Sequence, residues 1–116
     1  MNDTKQMDKV TRDTFEEEVA GSEVPVIIDF WGPRCVPCIR LEPMVLDLSE
    51  KLGDQVRFVK VVAPENRMLC VQLRVMGLPT FLAFKGGEEV GRLTGDDVSI
   101  DDIEKLARSL VTGGED

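Results

Sequence analysis

The stretch VIIDFWGPRCVPC, residues 26–38, decides the fold because it joins a strand pattern to the start of a helix. Residues 26–30 form a β-branched and aromatic run that is typical of a buried central strand. Gly32-Pro33 breaks this pattern, and a helical pattern then runs to about Leu52. The stretch therefore predicts a strand–turn–helix unit with two cysteines where the helix begins.

On either side of this unit, strand and helix patterns alternate and then end in a hairpin. A first helix, Phe15–Ala20, is expected to have Asp13 or Thr14 as its cap. Strands are predicted at 56–62, 80–84 and 89–93, the last two joined at Gly86-Gly87, and helices at 67–73 and 100–111. This order predicts an α/β fold with a mixed sheet flanked by helices.

Length and composition indicate one globular domain. The 116 residues are 42% hydrophobic, enough for a core without a disulfide staple. We expect a single domain over 1–116, with an ordered core at about 7–111 and polar, frayed ends. The net charge of −8 argues against nucleic acid or an anionic membrane as a partner. Residues 1–10 contain no apolar run typical of a signal peptide, so we expect a cytoplasmic protein. We also expect a monomer.

Cys35 and Cys38 form a Cys-Val-Pro-Cys motif at the predicted helix start. Residues three apart in a first helical turn lie on one face, about 5–6 Å apart, which suits a disulfide. Unpaired N–H groups and the positive end of the helix dipole stabilise a thiolate at Cys35, and Pro37 costs little in a first turn. We predict that Cys35 attacks the substrate and that Cys38, one turn deeper, resolves the mixed disulfide.

Two other interpretations of these cysteines are an inert structural pair and half of a zinc site. Zinc needs about four ligands, but only Cys70 remains and the chain has no histidine, so no metal is expected. Cys70 lies between Leu69 and Val71 and is expected to pack as a free cysteine. A regulatory thiol is the alternative for Cys70.

Beyond this motif, the chain resembles the thioredoxin family. Asp29-Phe30-Trp31, the cysteine motif and Pro43 match the family's active-site run, and no gap is needed from about residue 7 to residue 111. The other matching positions are Lys60, Gly77-Leu78-Pro79-Thr80, Phe84-Lys85, Gly87 and Gly95. The chain departs from the family at Arg34, Val36 and Ile39, where Trp, Gly and Lys are usual, and this alters the docking surface.

The resemblance implies the thioredoxin fold, a central mixed sheet of about five strands flanked by four helices. It also implies reduction of protein disulfides, with no bound cofactor and with a thioredoxin-reductase-type electron donor. The alternatives are a thiol oxidase or isomerase, and a thioredoxin-like binding module with a secondary redox role. The absence of a signal-peptide pattern and the presence of Pro37 favour the reductase over the oxidase.

Asp29 and Lys60 are the predicted catalytic partners of the two cysteines. Asp29 interrupts an apolar strand, and burial would raise its pKa. The resemblance implies that its carboxylate takes the proton of Cys38; an acid at an exposed strand end is the alternative. Lys60 is expected to pair with Asp29 from a neighbouring strand, with a solvated lysine as the alternative.

Substrate contacts are expected around the cysteine pair. In the family, the proline at the place of Pro79 is cis and faces the dithiol, which leaves the backbone of Leu78 to pair with an extended substrate. Trp31 is expected beside the dithiol rather than in the core. Arg34 either stabilises the thiolate and recruits acidic partners or is simply solvated. The predicted substrate-binding residues are Trp31, Arg34, Val36, Pro37, Leu78, Pro79 and Gly95.

Overall fold

The computed structural model describes residues 7–112, so the polar ends predicted at 1–6 and 113–116 lie outside the described residues. Five strands form one mixed sheet in the order β1-β3-β2-β4-β5. The strands are β1 (Asp8–Lys9), β2 (Val26–Trp31), β3 (Arg57–Val62), β4 (Thr80–Lys85) and β5 (Glu88–Thr94). The helices are a π-helical segment (Glu16–Ala20), α1 (Val36–Leu52), α2 (Arg67–Gln72) and α3 (Ile100–Thr112), with a 3₁₀ turn at Ala63–Glu65. The predicted α/β class and mixed sheet are confirmed.

Strand β2 lies at the centre of the sheet. It pairs parallel with β3 and antiparallel with β4, and all of its residues before Trp31 are buried. Helices cover both faces of the strand, which explains why its sequence is a continuous apolar run and not an alternating one. The polar exception, Asp29, lies opposite Lys60 on β3 and Phe81 on β4.

Side chains alternate along β2 between two core clusters, one on each face of the sheet. Ile27 belongs to the cluster that α1 and α3 cover, whereas Ile28 belongs to the cluster that the π-helical segment and α2 cover. The same alternation places Asp29 and Lys60 on the face that carries α1. The fold thereby brings both predicted catalytic partners under the helix that begins at the cysteine motif.

Two local predictions need correction. The first helix is π-helical, its N-cap is Phe15, and no side chain caps it, so the predicted capping by Asp13 or Thr14 is wrong. The Thr14 hydroxyl instead accepts a hydrogen bond from the Thr11 N–H in the preceding turn, at 3.0 Å. The hairpin β4–β5 is confirmed, with a bulge opposite Ala83 and Phe84 that its sequence pattern did not indicate.

Candidate active site

The cysteine pair lies at the junction between β2 and α1. Cys35 has an extended backbone and is the N-cap residue of α1, which begins at Val36, so it precedes the first turn. Its Cα lies 5.2 Å from that of Cys38, and the two sulfurs form a disulfide. The predicted pairing of these cysteines is confirmed, and their spacing lies within the range that disulfides require.

The two sulfurs have different environments. The Cys38 backbone N–H donates a hydrogen bond to Cys35 Sγ at 3.3 Å, and Cys35 is partly exposed. Cys38 itself is only 2% exposed. The first turn of α1 contains no acidic residue, so its N–H groups and dipole act on Cys35 without competition from a carboxylate. This asymmetry suits an attacking sulfur at Cys35 and a protected one at Cys38.

Asp29 is the buried carboxyl group of the site. It is 2% exposed, and its Oδ1 has no hydrogen-bond partner within residues 7–112. Burial raises the pKa of Asp29 to about 7; the charge of Lys60 lowers this pKa and that of Glu42 raises it. The alternative of an exposed acid at the strand end is therefore wrong. A carboxyl group with such a pKa exchanges a proton near neutral pH.

Lys60 does not form the predicted ion pair with Asp29. Its Nζ lies 2.6 Å from Glu42 Oε2 and 4.2 Å from the centroid of the Trp31 ring. Glu42 retains 27% exposure of its side chain, so pairing with it requires less desolvation than pairing with the fully enclosed Asp29. Lys60 thus influences Asp29 only through its charge.

Glu42 is the site residue that the sequence analysis missed on α1. A signal for it was present, because Glu42 follows Cys38 by four residues and such residues lie on one helical face. Trp31 is partly exposed and contacts Lys60, while its Nε1 is buried without a hydrogen-bond partner in the described part of the chain. The predicted contact of Trp31 with the dithiol stays a prediction.

A cavity of about 530 Å³ opens beside Cys35. It brings together three predicted residues, Arg34, Cys35 and Leu78, with Arg67 and Pro64, which the sequence analysis did not select. The remaining lining is the Gly32-Pro33 break after β2. Gly32 lets Leu78 approach closely, because an added Cβ at this position would lie 3.1 Å from Leu78 Cδ1. Val36, which is 66% exposed, and the partly exposed Pro37 follow Cys35 on the first turn of α1.

The Leu78–Pro79 peptide bond is cis, and Pro79 is itself buried. The Gly95 N–H donates a hydrogen bond to the Pro79 carbonyl oxygen at 3.1 Å. Gly95 has a φ of +114°, a backbone conformation that favours glycine. This geometry lets Gly95 hold the Pro79 backbone in place, while its predicted contact with substrate stays a prediction.

Cys70 is a free cysteine on α2 and is partly exposed. It packs against the core cluster on its face of the sheet, as expected, and burial raises the pKa of its thiol. It also lines a second cavity, of about 450 Å³, together with Met76. Within residues 7–112, no group of three cysteine or acidic side chains is placed to hold a metal ion.

A cysteine pair of this kind, with a partly exposed sulfur at a helix N-terminus and a buried sulfur behind it, defines a thiol–disulfide oxidoreductase. Residues 6–109 match the family model described as Thioredoxin. Thioredoxin from Acetoanaerobium sticklandii is 33% identical over 105 residues, which cover 90% of this chain and all of that protein. Thioredoxin 1 from Nostoc sp. is 38% identical over 87 residues, 75% of this chain and 81% of that protein. Thioredoxin 1 from Synechococcus elongatus is 40% identical over 86 residues, 74% of this chain and 80% of that protein.

The chain belongs to the thioredoxin family. The five-stranded sheet with its four helices is the thioredoxin fold, and family membership together with the cysteine pair makes the chain a protein-disulfide reductase. The family implies protein disulfides as substrates and a reductase as electron donor in general terms. Among the described helices, none has the length and apolar character needed to cross a membrane.

Proposed function

We propose that Cys35 is the attacking thiolate and Cys38 the resolving thiol in the reduction of protein disulfides. Cys35 Sγ attacks one substrate sulfur, and the other substrate sulfur leaves as a thiolate. Cys38 then gives up its proton and attacks Cys35 Sγ, which releases the second substrate thiolate. Two electrons pass to the substrate, and the protein dithiol becomes a disulfide. The carrying observation is the hydrogen bond from the Cys38 N–H to a partly exposed Cys35 Sγ.

Asp29 is proposed to take the proton of Cys38. Its support is a buried carboxyl group with a pKa of about 7, on the face of β2 that α1 covers. Lys60 is proposed to tune this carboxyl group through its charge, in balance with Glu42. A carboxyl with this pKa both accepts a proton and returns it to solvent at neutral pH.

The substrate is proposed to lie as an extended segment beside Cys35 and Leu78. Leu78 lines the same cavity as Cys35 and precedes the cis bond to Pro79, so its backbone is available for strand-like pairing. Trp31, Val36 and Pro37 are proposed to border this segment around the cysteine pair.

Electrons are proposed to come from a thioredoxin-reductase-type donor, and no bound cofactor is proposed because the dithiol itself carries both electrons. A reducing cytoplasm is proposed as the compartment, since it keeps a partly exposed thiol such as Cys70 free. We propose a monomer, because a net charge of −8 disfavours close association of two copies.

A trapping experiment tests the division of roles between the two cysteines. The Cys38→Ser variant should accumulate covalent mixed disulfides with a disulfide-bonded protein substrate, because the resolving thiol is missing. The Cys35→Ser variant should trap almost none. Cys70→Ser is the matched control for the loss of one cysteine and should trap no more substrate than the wild type. Equal trapping by Cys35→Ser and Cys38→Ser, measured on non-reducing gels with mass mapping, would contradict the assignment.

A further inference from the structure

Two arginines, Arg34 and Arg67, flank Cys35. Arg34 and Arg67 both line the Cys35 cavity and are exposed. Each guanidinium group lacks an ion pair or hydrogen bond to any residue in 7–112, unlike those of Arg57 and Arg92, which bind carboxylates. Two cations beside the reactive sulfur, both without a partner among the described residues, attract an anionic group from outside the chain.

The surroundings of these arginines contrast with the rest of the chain. The protein has 22 acidic residues and a net charge of −8, so most of its surface repels an acidic partner. Within the described chain, no acidic residue lines the Cys35 cavity or the cavity beside it. The lining of the Cys35 cavity is thus locally basic on an acidic protein.

The Cys35 cavity continues along α2 into an apolar groove. The two cavities share Pro64, Arg67 and Leu78, so together they form one path that starts at Cys35. The far end of this path is lined by Val71 and Met76, which are 66% and 93% exposed. Large exposed apolar side chains next to a binding site indicate a surface that a partner covers.

We propose that this protein prefers disulfides whose cysteine has carboxylate side chains beside it and an apolar side chain further along. In this arrangement the substrate cysteine meets Cys35, the carboxylates meet Arg34 and Arg67, and the apolar side chain contacts Met76. The electron transfer is the one described above, from the dithiol to the substrate disulfide, so the preference rests on the proposed function. Arg34 and Arg67 determine which substrates are favoured and do not take part in the chemistry.

The test uses the reduced full-length protein and disulfide-linked homodimers of short peptides. Three peptides differ only in having Asp, Asn or Lys on both sides of the cysteine. For each peptide, the rate of reduction by the protein is divided by the rate of reduction by dithiothreitol, which corrects for the intrinsic reactivity of its disulfide. The Asp peptide should be reduced about tenfold faster than the Lys peptide at low salt, with Asn between them, as expected for two exposed charge pairs. Near 1 M salt, where the screening length is about 3 Å, the differences in normalised rate among the three peptides should largely disappear.

Neutral variants identify the source of this preference. Arg34→Gln and Arg67→Gln should each lower the Asp-to-Lys rate ratio about two- to threefold, and the double variant should bring the ratio close to one. Lys51→Gln makes the same change in net charge at the far end of α1 and should leave the ratio unchanged. Equal normalised rates for all peptides, or a ratio that these arginine variants do not move, overturns the proposal.

Met76→Ser tests the apolar end of the path. It should slow reduction of an Asp peptide that carries Leu beyond the cysteine, and leave a matched peptide with Ser at that place unaffected. An equal effect on both peptides, or no effect on either, contradicts the placement of the segment along the groove. Failure of the wild-type protein to reduce any peptide or protein disulfide would instead contradict the proposed function itself.

Discussion

The helices α1 and α3 begin in opposite ways. At the start of α3, the Asp102 N–H donates to Ser99 Oγ and the Ser99 N–H donates to Asp102 Oδ2, each at 3.1 Å. This reciprocal pair satisfies the first N–H groups and places carboxylates at the positive end of the helix dipole. At the start of α1, the first turn has no acidic residue, and the acceptor is the sulfur of Cys35.

This difference shows how one physical property serves two purposes. The start of α3 stabilises the fold with a fixed carboxylate. The start of α1 leaves the same electrostatic effect available to a sulfur that changes between thiolate and disulfide. A permanent carboxylate there would compete with the Cys35 thiolate for the same N–H groups and the same dipole.

Two aspartates differ in the same sense, Asp102 in the first turn of α3 and Asp29 on the face of the sheet that α1 covers. Hydrogen bonds from the backbone and side chain of Ser99 lower the pKa of Asp102. Burial raises the pKa of Asp29 to about 7, against an ordinary value of 3.8. The carboxyl group of Asp102 is held ionised, which stabilises the fold. The pKa of Asp29 lies near neutral pH, where this group exchanges protons.

The largest expected effect comes from removing the buried charge with Asp29→Asn. Between about pH 4 and pH 7 the folded wild type holds a proton on Asp29 that the unfolded chain has lost, so its free energy of unfolding falls as pH rises across this window. A difference of about three pKa units corresponds to about 4 kcal/mol. The variant should therefore be more stable than the wild type by up to about 4 kcal/mol at pH 8, and nearly equal to it at pH 4.

Denaturant unfolding of the oxidised proteins from pH 4 to pH 8 measures this difference. Asp102→Asn is the matched control and should change stability with the opposite sign, because its carboxylate has a lowered pKa and is stabilising when ionised. Parallel pH profiles for wild type and Asp29→Asn would show that Asp29 is not held protonated by burial.

The second largest expected effect is the loss of stability on removing the cap of α3. Ser99→Ala removes the acceptor for the Asp102 N–H and should lower the free energy of unfolding by about 1 kcal/mol, as loss of a helix cap usually does. The pKa of Cys35 and the rate of disulfide reduction should not change, because this cap acts on stability alone. Thermal unfolding and a thiol titration on the same variant measure both properties. A shift in the Cys35 pKa would contradict the claim that the cap of α3 affects stability alone.

Local sequence patterns predicted most of the fold and the centre of the site. The apolar run of β2, the helix that follows the Gly32-Pro33 break, and the cysteine spacing are all short-range features, and each is confirmed. Strand β1 was missed because its two residues are too few to show a periodic pattern. The sequence of the hairpin does not indicate the bulge in β5. Nor does it show that Leu106 of α3 leaves no room for a side chain at Gly91, because these two residues meet only in the folded protein.

The sequence did not predict which side chains of the site lie next to one another. The sequence predicts that Lys60 pairs with Asp29 from a neighbouring strand, and the register does place the two residues side by side. The ion pair of Lys60 nevertheless forms with Glu42, because pairing with the more exposed carboxylate requires less desolvation. Arg67 looks like a solvated residue in the sequence, and only the turn after β3 brings it to Cys35.

The smallest expected effect tests the comparison directly, by giving α1 the kind of residue that α3 has. Val36 is the first residue of α1 and is 66% exposed, so Val36→Asp adds a carboxylate without disturbing the core. The new charge should stabilise the helix start but raise the pKa of Cys35 in the reduced protein by about 0.5 unit, because it repels the thiolate and competes for the dipole. Val36→Asn is the matched neutral control and should leave that pKa close to the wild-type value. Titrations of thiolate absorbance at low and high salt measure the shift, which should shrink as salt screens an exposed charge. A Cys35 pKa that is the same in both variants would mean that the absence of acidic residues from the first turn of α1 has no bearing on its chemistry.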